Sequence, residues 1–294
     1  MASNSTSQAT QRVVNSNPAC CSIPPVTTSS YVPKGSYISF AGFDRVYVTG
    51  PSSNRSPKIP TGSSHDPEQG ASDIAFVSVF DIFGFFPQTQ QGADLLAASL
   101  NASVYMPDFF APDSPFPIEH FPPKTQQDKD ALQAFFAGPA KPEKALEGLL
   151  KVGEELRRLK KKYVGVYGLC WGGKVAILSG SHKDPIFDAV AALHPAMLSA
   201  DDANDLSVPL GLFISKDEPK EEYDEMIQRL SSKPFADKIA YKLYPYMFHG
   251  WAAARANLEN EENRKEFEDV YSRLKDFFTG AFARDRGETQ ASNH

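Results

Sequence analysis

From Asp73 onward, short runs of apolar residues take turns with stretches whose apolar residues recur at helical spacing. DIAFVSVFDIFG is a continuous apolar run of strand length, as expected where helices cover both faces of a strand. TQQGADLLAASLN reads as an amphipathic helix and ASVYMPDFF as a second strand, which makes a βαβ unit. The pattern continues with PEKALEGLLKVGEELRRLKK, YVGVYGLC, GGKVAILSG, FDAVAALHP, PLGLFISKDEP, KEEYDEMIQRL, KIAYKLYPYMFHG and a closing amphipathic helix near 260–279. Repeated alternation with apolar strands predicts an α/β fold: one doubly wound, mostly parallel sheet with helices on both faces. Before it, SYISFAGFDRVYVTG has the aromatic and β-branched content of strands at a sheet edge.

With 294 residues, the chain is long enough for one large α/β domain or two small ones. The alternation favours a single domain over 31–282. The Ser/Asn/Gln-rich start predicts a mobile tail over 1–30, and a second tail is expected over 283–294. Between the second apolar strand and the next long helix, residues 111–144 are rich in proline and aromatics, with a short helix expected at 128–136. A segment this long inside a compact domain is usually functional or disordered; here it is expected as an excursion over the active site.

Ligands of such sheets gather at the carboxyl ends of the strands. The residues there are Asp81, Asp108, Cys170, His194, Asp217 and His249, a set that holds a nucleophile, a base and an orienting acid. Cys170 lies in G-x-C-x-G between a strand and a helix. A sharp strand-to-helix corner strains the residue at its tip and demands small neighbours, which Gly168, Gly172 and Gly173 supply. At the helix N-terminus the dipole and free N–H groups favour thiolate over thiol. Cys170, Asp217 and His249 follow the order nucleophile, acid, histidine of the α/β-hydrolase fold. The expected oxyanion hole combines the backbone N–H groups of Trp171 and Ile82. His194 also follows a strand, and the order makes it a pocket residue rather than the base. Asp217 equally suits capping of the helix that begins near Pro219, and a cysteine between glycines also suits a buried turn.

The charge pattern excludes other classes of function. A net charge of -6 without a long basic stretch gives no footing for a nucleic acid. No run of about 18 apolar residues is present to span a membrane, and the N-terminus has no signal-peptide core. Cys20 and Cys21 are adjacent and the count of cysteines is odd, so a disulfide framework is not expected and a cytoplasmic setting is. No Cys/His spacing suggests a metal and no glycine-rich loop suggests a nucleotide, so no cofactor is expected.

The elbow YGLCWGGK, the acid loop FISKDEP, the histidine loop FHGW and the stretch VFDIFG resemble the dienelactone hydrolase (carboxymethylenebutenolidase) family. ACCSIPPV followed by YVPKGSY looks like its fungal branch. The resemblance covers about 31–278. It implies hydrolysis of an enol-lactone or related ester through a thioester acyl-enzyme, without metal or organic cofactor. Two departures stand out. Bacterial members carry glutamate where this chain has Asp81, a side chain shorter by about 1.5 Å, which alters any hold on the resting thiol. Their pair of carboxylate-binding arginines is reduced to Arg255, because 111–144 contains no arginine, and loss of one guanidinium weakens a carboxylate clamp. The pocket is expected to be walled by Phe83, Phe85, Phe109, Phe110, Trp171 and Trp251, which suits a flat or aromatic ester or lactone. The expected partner is a small-molecule substrate, and the protein is expected as a monomer or homodimer. Two rival readings are a class I glutamine amidotransferase, which also places cysteine on an elbow but needs a His-x-Glu pair, and a non-catalytic family member that binds a small molecule or a partner protein.

Overall fold

A computed structural model describes residues 23–51, 72–182 and 184–283; Cys20, Cys21 and the segment 284–294 lie outside them. Eight strands form one sheet: β1 (Ser36–Phe40), β2 (Phe43–Thr49), β3 (Ile74–Val79), β4 (Ser103–Pro107), β5 (Tyr163–Leu169), β6 (Ala189–Leu193), β7 (Leu210–Ser215) and β8 (Ala240–Tyr244). Their spatial order is β1-β2-β4-β3-β5-β6-β7-β8. β1, β2 and β4 pair antiparallel, and all pairs from β4 across to β8 are parallel. The strand order and helical cover are those of the α/β-hydrolase fold. β4, β6 and β7 are buried at every residue, which is why their sequences are apolar runs rather than alternating ones.

The helices are α1 (Pro87–Leu100), α2 (Gln126–Ala137), α3 (Pro142–Arg158), α4 (Trp171–Ser179), α5 (Asp202–Asp205), α6 (Lys220–Leu230) and α7 (Glu261–Phe282). α1 packs with α7, and α3 packs with α4. Local chemistry sets their limits. Pro87 starts α1, where its missing N–H costs nothing. Asn101 ends it in a left-handed conformation, φ 47°, one that Asn tolerates better than most residues. α2 opens with a capping box between Thr125 and Asp128, so the excursion has its own folding signal. No helix among the described residues is long and apolar enough to cross a membrane.

Of the segment 1–30 expected as a mobile tail, the structure describes 23–30, and Val26 within it is bonded to the rest of the chain. Val26 donates its N–H to the Ala254 carbonyl at 2.9 Å and accepts from Gln88 Nε2 at 2.8 Å. A few residues on, the buried carboxylate of Asp94 accepts from Tyr31 Oη, Tyr47 Oη and the Lys34 N–H at 2.7, 2.7 and 2.9 Å. These bonds fasten 23–34 to α1, and the Val26 bond also reaches the loop that carries Ala254. A Ser- and Pro-rich composition hides such anchoring because it is made by backbone groups and by partners distant in sequence.

Candidate active site

Cys170 sits at the corner between β5 and α4 with φ 56° and ψ −117°, a conformation that L residues rarely adopt. Its N–H donates to Leu193 O at 3.1 Å, so the β5–β6 ladder continues to the corner itself. A Cβ on Gly168 would lie 1.9 Å from Gly172 O, and one on Gly172 would lie 2.2 Å from Val79 O. Both contacts are with backbone, which cannot swing aside. The glycines are therefore demanded by the approach of α4 to β5 and β3, as the G-x-C-x-G spacing predicts.

β5, β6, β7 and β8 are neighbours in the sheet, so the residues that follow them share one edge. Cys170 follows β5, His194 follows β6, Glu218 follows β7 and His249 follows β8. His249 Nδ1 lies 2.6 Å from Glu218 Oε1, both side chains fully buried. The other carboxylate oxygen of Glu218 accepts from the Ser215 N–H, which fixes the acid against the end of its own strand. Glu218 thus takes the position on the imidazole that sequence order assigns to Asp217. Asp217 accepts instead from the backbone N–H of His249 at 2.9 Å. The reason is reach and direction. In the turn after β7, Asp217 meets the main chain of the histidine loop, while Glu218, one residue on and one methylene longer, folds back to the ring.

Tyr223 of α6 lies behind this edge and donates to Pro195 O at 3.2 Å. Burial, and next the negative charge of Glu218, raise its phenol well above the ordinary range, with Asp202 and Cys170 adding to the shift. The phenol therefore stays protonated. His194 is fully buried, with its ring centroid 5.2 Å from that of His249 and 5.3 Å from that of Trp251.

Asp81, in the loop after β3, accepts from the Phe83 N–H at 2.9 Å and from the Ala254 N–H at 3.3 Å. It ties the loop that holds Ile82 to the histidine loop. Burial raises its pKa from 3.8 to about 6, against the lowering effect of the Phe83 N–H and the Arg255 charge. Arg255 is buried and donates to His249 O at 3.2 Å. Its guanidinium lies 5.3 Å from the Phe83 ring centroid and 4.8 Å from that of Phe121, distances of a cation–π contact.

The excursion closes over this edge. Phe116 donates its N–H to Ile82 O at 2.9 Å, and Trp171 Nε1 donates to Ala140 O at 2.6 Å. Phe121 packs on Phe83, and Phe110 packs on Trp171 and Phe135. Cys170 is only 2% exposed, and His249 is fully buried.

Of the residues expected at the site, Cys170, His194 and His249 gather at the ends of β5, β6 and β8. Asp81, Phe83 and Arg255 form an adjoining group, and Trp251 joins the site through His194 and also packs on Tyr244. Trp171 lies at the first position of α4, and Ile82 in the Asp81 loop. Phe109 departs from its expected place. Its ring packs on Phe43 and Phe80, a contact with β2 that belongs to the core. Phe85 likewise sits with Tyr37 and Arg45. Glu218 and Phe121 are site residues that the sequence reading omitted. For Glu218 the available signal was the second of two consecutive carboxylates after an apolar strand; for Phe121 it was an aromatic within the proline-rich excursion.

Comparison with known proteins gives a consistent likeness. The sequence profile described as "Dienelactone hydrolase family" matches residues 76–282. An AIM2 family protein of Schizosaccharomyces pombe (strain 972) is 33% identical over 254 residues, which is 86% of this chain and 93% of the relative. A carboxymethylenebutenolidase homolog of Xenopus tropicalis is 28% identical over 209 residues, covering 68% of this chain and 79% of the relative. Among solved structures, the dienelactone hydrolase of Anabaena variabilis superposes with a TM-score of 0.55 at 12% identity, covering 85% of this chain and 98% of that one, which speaks for the shared fold.

Proposed function

The chain belongs to the dienelactone hydrolase family, whose members hydrolyse carboxylic esters and lactones, and we propose that it does so through a Cys170–His249–Glu218 triad and a thioester acyl-enzyme. The observation that carries this reading is the buried 2.6 Å contact between His249 Nδ1 and Glu218 Oε1 on the same sheet edge as the strained Cys170. With Glu218 on Nδ1, proton exchange with the reacting groups runs through Nε2. His249 takes the thiol proton as the Cys170 sulfur attacks the substrate carbonyl carbon. The backbone N–H groups of Trp171 and Ile82 hold the oxyanion. Collapse breaks the C–O bond, and the leaving oxygen takes the proton from Nε2. His249 then draws a proton from water, the hydroxide adds to the thioester, and the acid leaves as Cys170 is restored.

The surroundings of Arg255 bear on the substrate. Its guanidinium is enclosed by Phe83 and Phe121 and bonded to His249 O, so it holds the histidine loop in place. With no second arginine in 111–144, the site suits a neutral, flat ester or lactone that stacks against Phe83 and Phe121 rather than a carboxylate-bearing dienelactone. Equal turnover of short aliphatic esters and aromatic lactones would contradict this choice.

The catalytic test is release of p-nitrophenol from p-nitrophenyl acetate. Wild type should give a burst followed by turnover, Cys170→Ala no burst, and His249→Ala no turnover. A second reading, a member of the fold that binds without catalysis, draws on the near-complete burial of Cys170. Iodoacetamide separates the two, since an activated thiolate labels faster than free cysteine and an idle buried thiol does not.

A further inference from the structure

Beside the triad stands a second imidazole whose placement needs an explanation. His194 directly follows β6, the strand between the one that ends at Cys170 and the one that leads to Glu218. Its backbone has φ 36°, in the left-handed region that a residue with a side chain adopts at a cost. The conformation is held from both sides. The His194 N–H donates to Phe213 O of β7 at 2.7 Å, and the Ala196 N–H closes the turn on Cys170 O at 3.0 Å. The same turn that positions the nucleophile's carbonyl therefore aims the His194 ring.

That ring meets two others. It lies edge-to-face with His249, interplanar angle 71°, and edge-to-face with Trp251, interplanar angle 65°. Trp251 in turn packs on Tyr244 at the end of β8. His249 thus meets Glu218 at Nδ1 and the His194 ring in an edge-to-face contact. The hydrogen bond to Glu218 fixes the ring at Nδ1, and the side chain's own Cβ–Cγ torsion still lets the plane tilt. A second ring packed against it resists that tilt and so bears on the direction of Nε2.

We propose that His194 is a positioning residue for the catalytic imidazole, fixing the plane of His249 so that Nε2 is directed at the Cys170 sulfur. The role rests on the triad assigned above but belongs to ring packing, not to proton transfer. An aromatic ring of similar shape should therefore replace it, while removal of the ring should not be tolerated. Effects of this kind fall on kcat rather than KM, because misalignment of a reacting group by about 1 Å costs on the order of 10²-fold in rate.

The experiment compares wild type, His194→Ala and His194→Phe, each checked by circular dichroism, with p-nitrophenyl acetate as substrate and ¹H NMR as a second readout. The proposal expects His194→Ala to lose roughly 10²-fold in kcat at little changed KM, and His194→Phe to recover most of it. It also expects a downfield resonance from the His249–Glu218 hydrogen bond in wild type and His194→Phe, broadened or lost in His194→Ala. Full activity in His194→Ala would overturn the proposal. So would equal losses in both variants, which would make His194 a proton carrier instead. If wild type shows no Cys170-dependent release, the triad reading fails, while the NMR comparison still decides whether His194 orders His249.

Discussion

Two consecutive acids at the end of β7 divide their work by one residue of position. Glu218 holds the His249 ring, and Asp217 holds its backbone N–H. Loss of the ring partner removes the orientation and charge support of the imidazolium, so Glu218→Gln is expected to lower kcat for p-nitrophenyl acetate by roughly 10³-fold or more. Asp217→Asn keeps an acceptor for the backbone N–H and should stay within about tenfold. Reversal of that ranking would return the orienting role to Asp217. At Asp81 the expected effect is on stability. Its carboxyl has a pKa of about 6 in the folded protein against an ordinary 3.8, so between those values the folded state binds more protons than the unfolded one. The contribution of Asp81 to stability is present below about pH 4 and is lost as pH rises through 6. Relative to Asp81→Asn, wild type should lose roughly 2 kcal/mol between pH 4 and pH 8, read from urea unfolding at each pH. A difference that does not change with pH would show that the carboxyl titrates normally.

At the scale of the element, the elbow and the excursion make opposite demands. The elbow admits no change: Gly168→Ala places a methyl group on the backbone of α4 and should cost about 3 kcal/mol or more in unfolding free energy. A variant with unchanged stability would mean that α4 can retreat from β5. The excursion, by contrast, has to move for substrate to reach a nucleophile that is 2% exposed. Its hold on the site runs through Phe121 against Phe83 and Arg255, Phe116 to Ile82, and Ala140 to Trp171. Phe121→Ala weakens one of these without touching the triad, so alkylation of Cys170 by iodoacetamide should quicken about tenfold, the equivalent of about 1.4 kcal/mol of closure. An unchanged rate would place the entry path elsewhere.

For the whole molecule, the sequence speaks most clearly where burial is complete. β3 to β7 are buried almost throughout, and their unbroken apolar runs announce both the parallel sheet and the edge at which chemistry collects. The elbow is equally legible, because close approach of two backbones leaves glycine as the sole fit at Gly168 and Gly172. Less legible is anything settled by the direction of a side chain. Sequence order cannot choose between Asp217 and Glu218, adjacent in one turn, and it cannot tell Phe83, which faces Phe121, from Phe109, which faces Phe43. The anchoring of Val26 to Ala254 and Gln88 is hidden for the same reason, being a contact between segments far apart in the chain. The central claim is that Cys170 carries the acyl group. Rapid quenching of wild type during the p-nitrophenyl acetate burst, followed by peptide mass spectrometry, tests it directly. One acetyl group is expected on the peptide containing Cys170, formed as p-nitrophenol appears and lost on further turnover. Hydrolysis that persists undiminished in Cys170→Ala, with no acetyl group on that peptide in wild type, would contradict it.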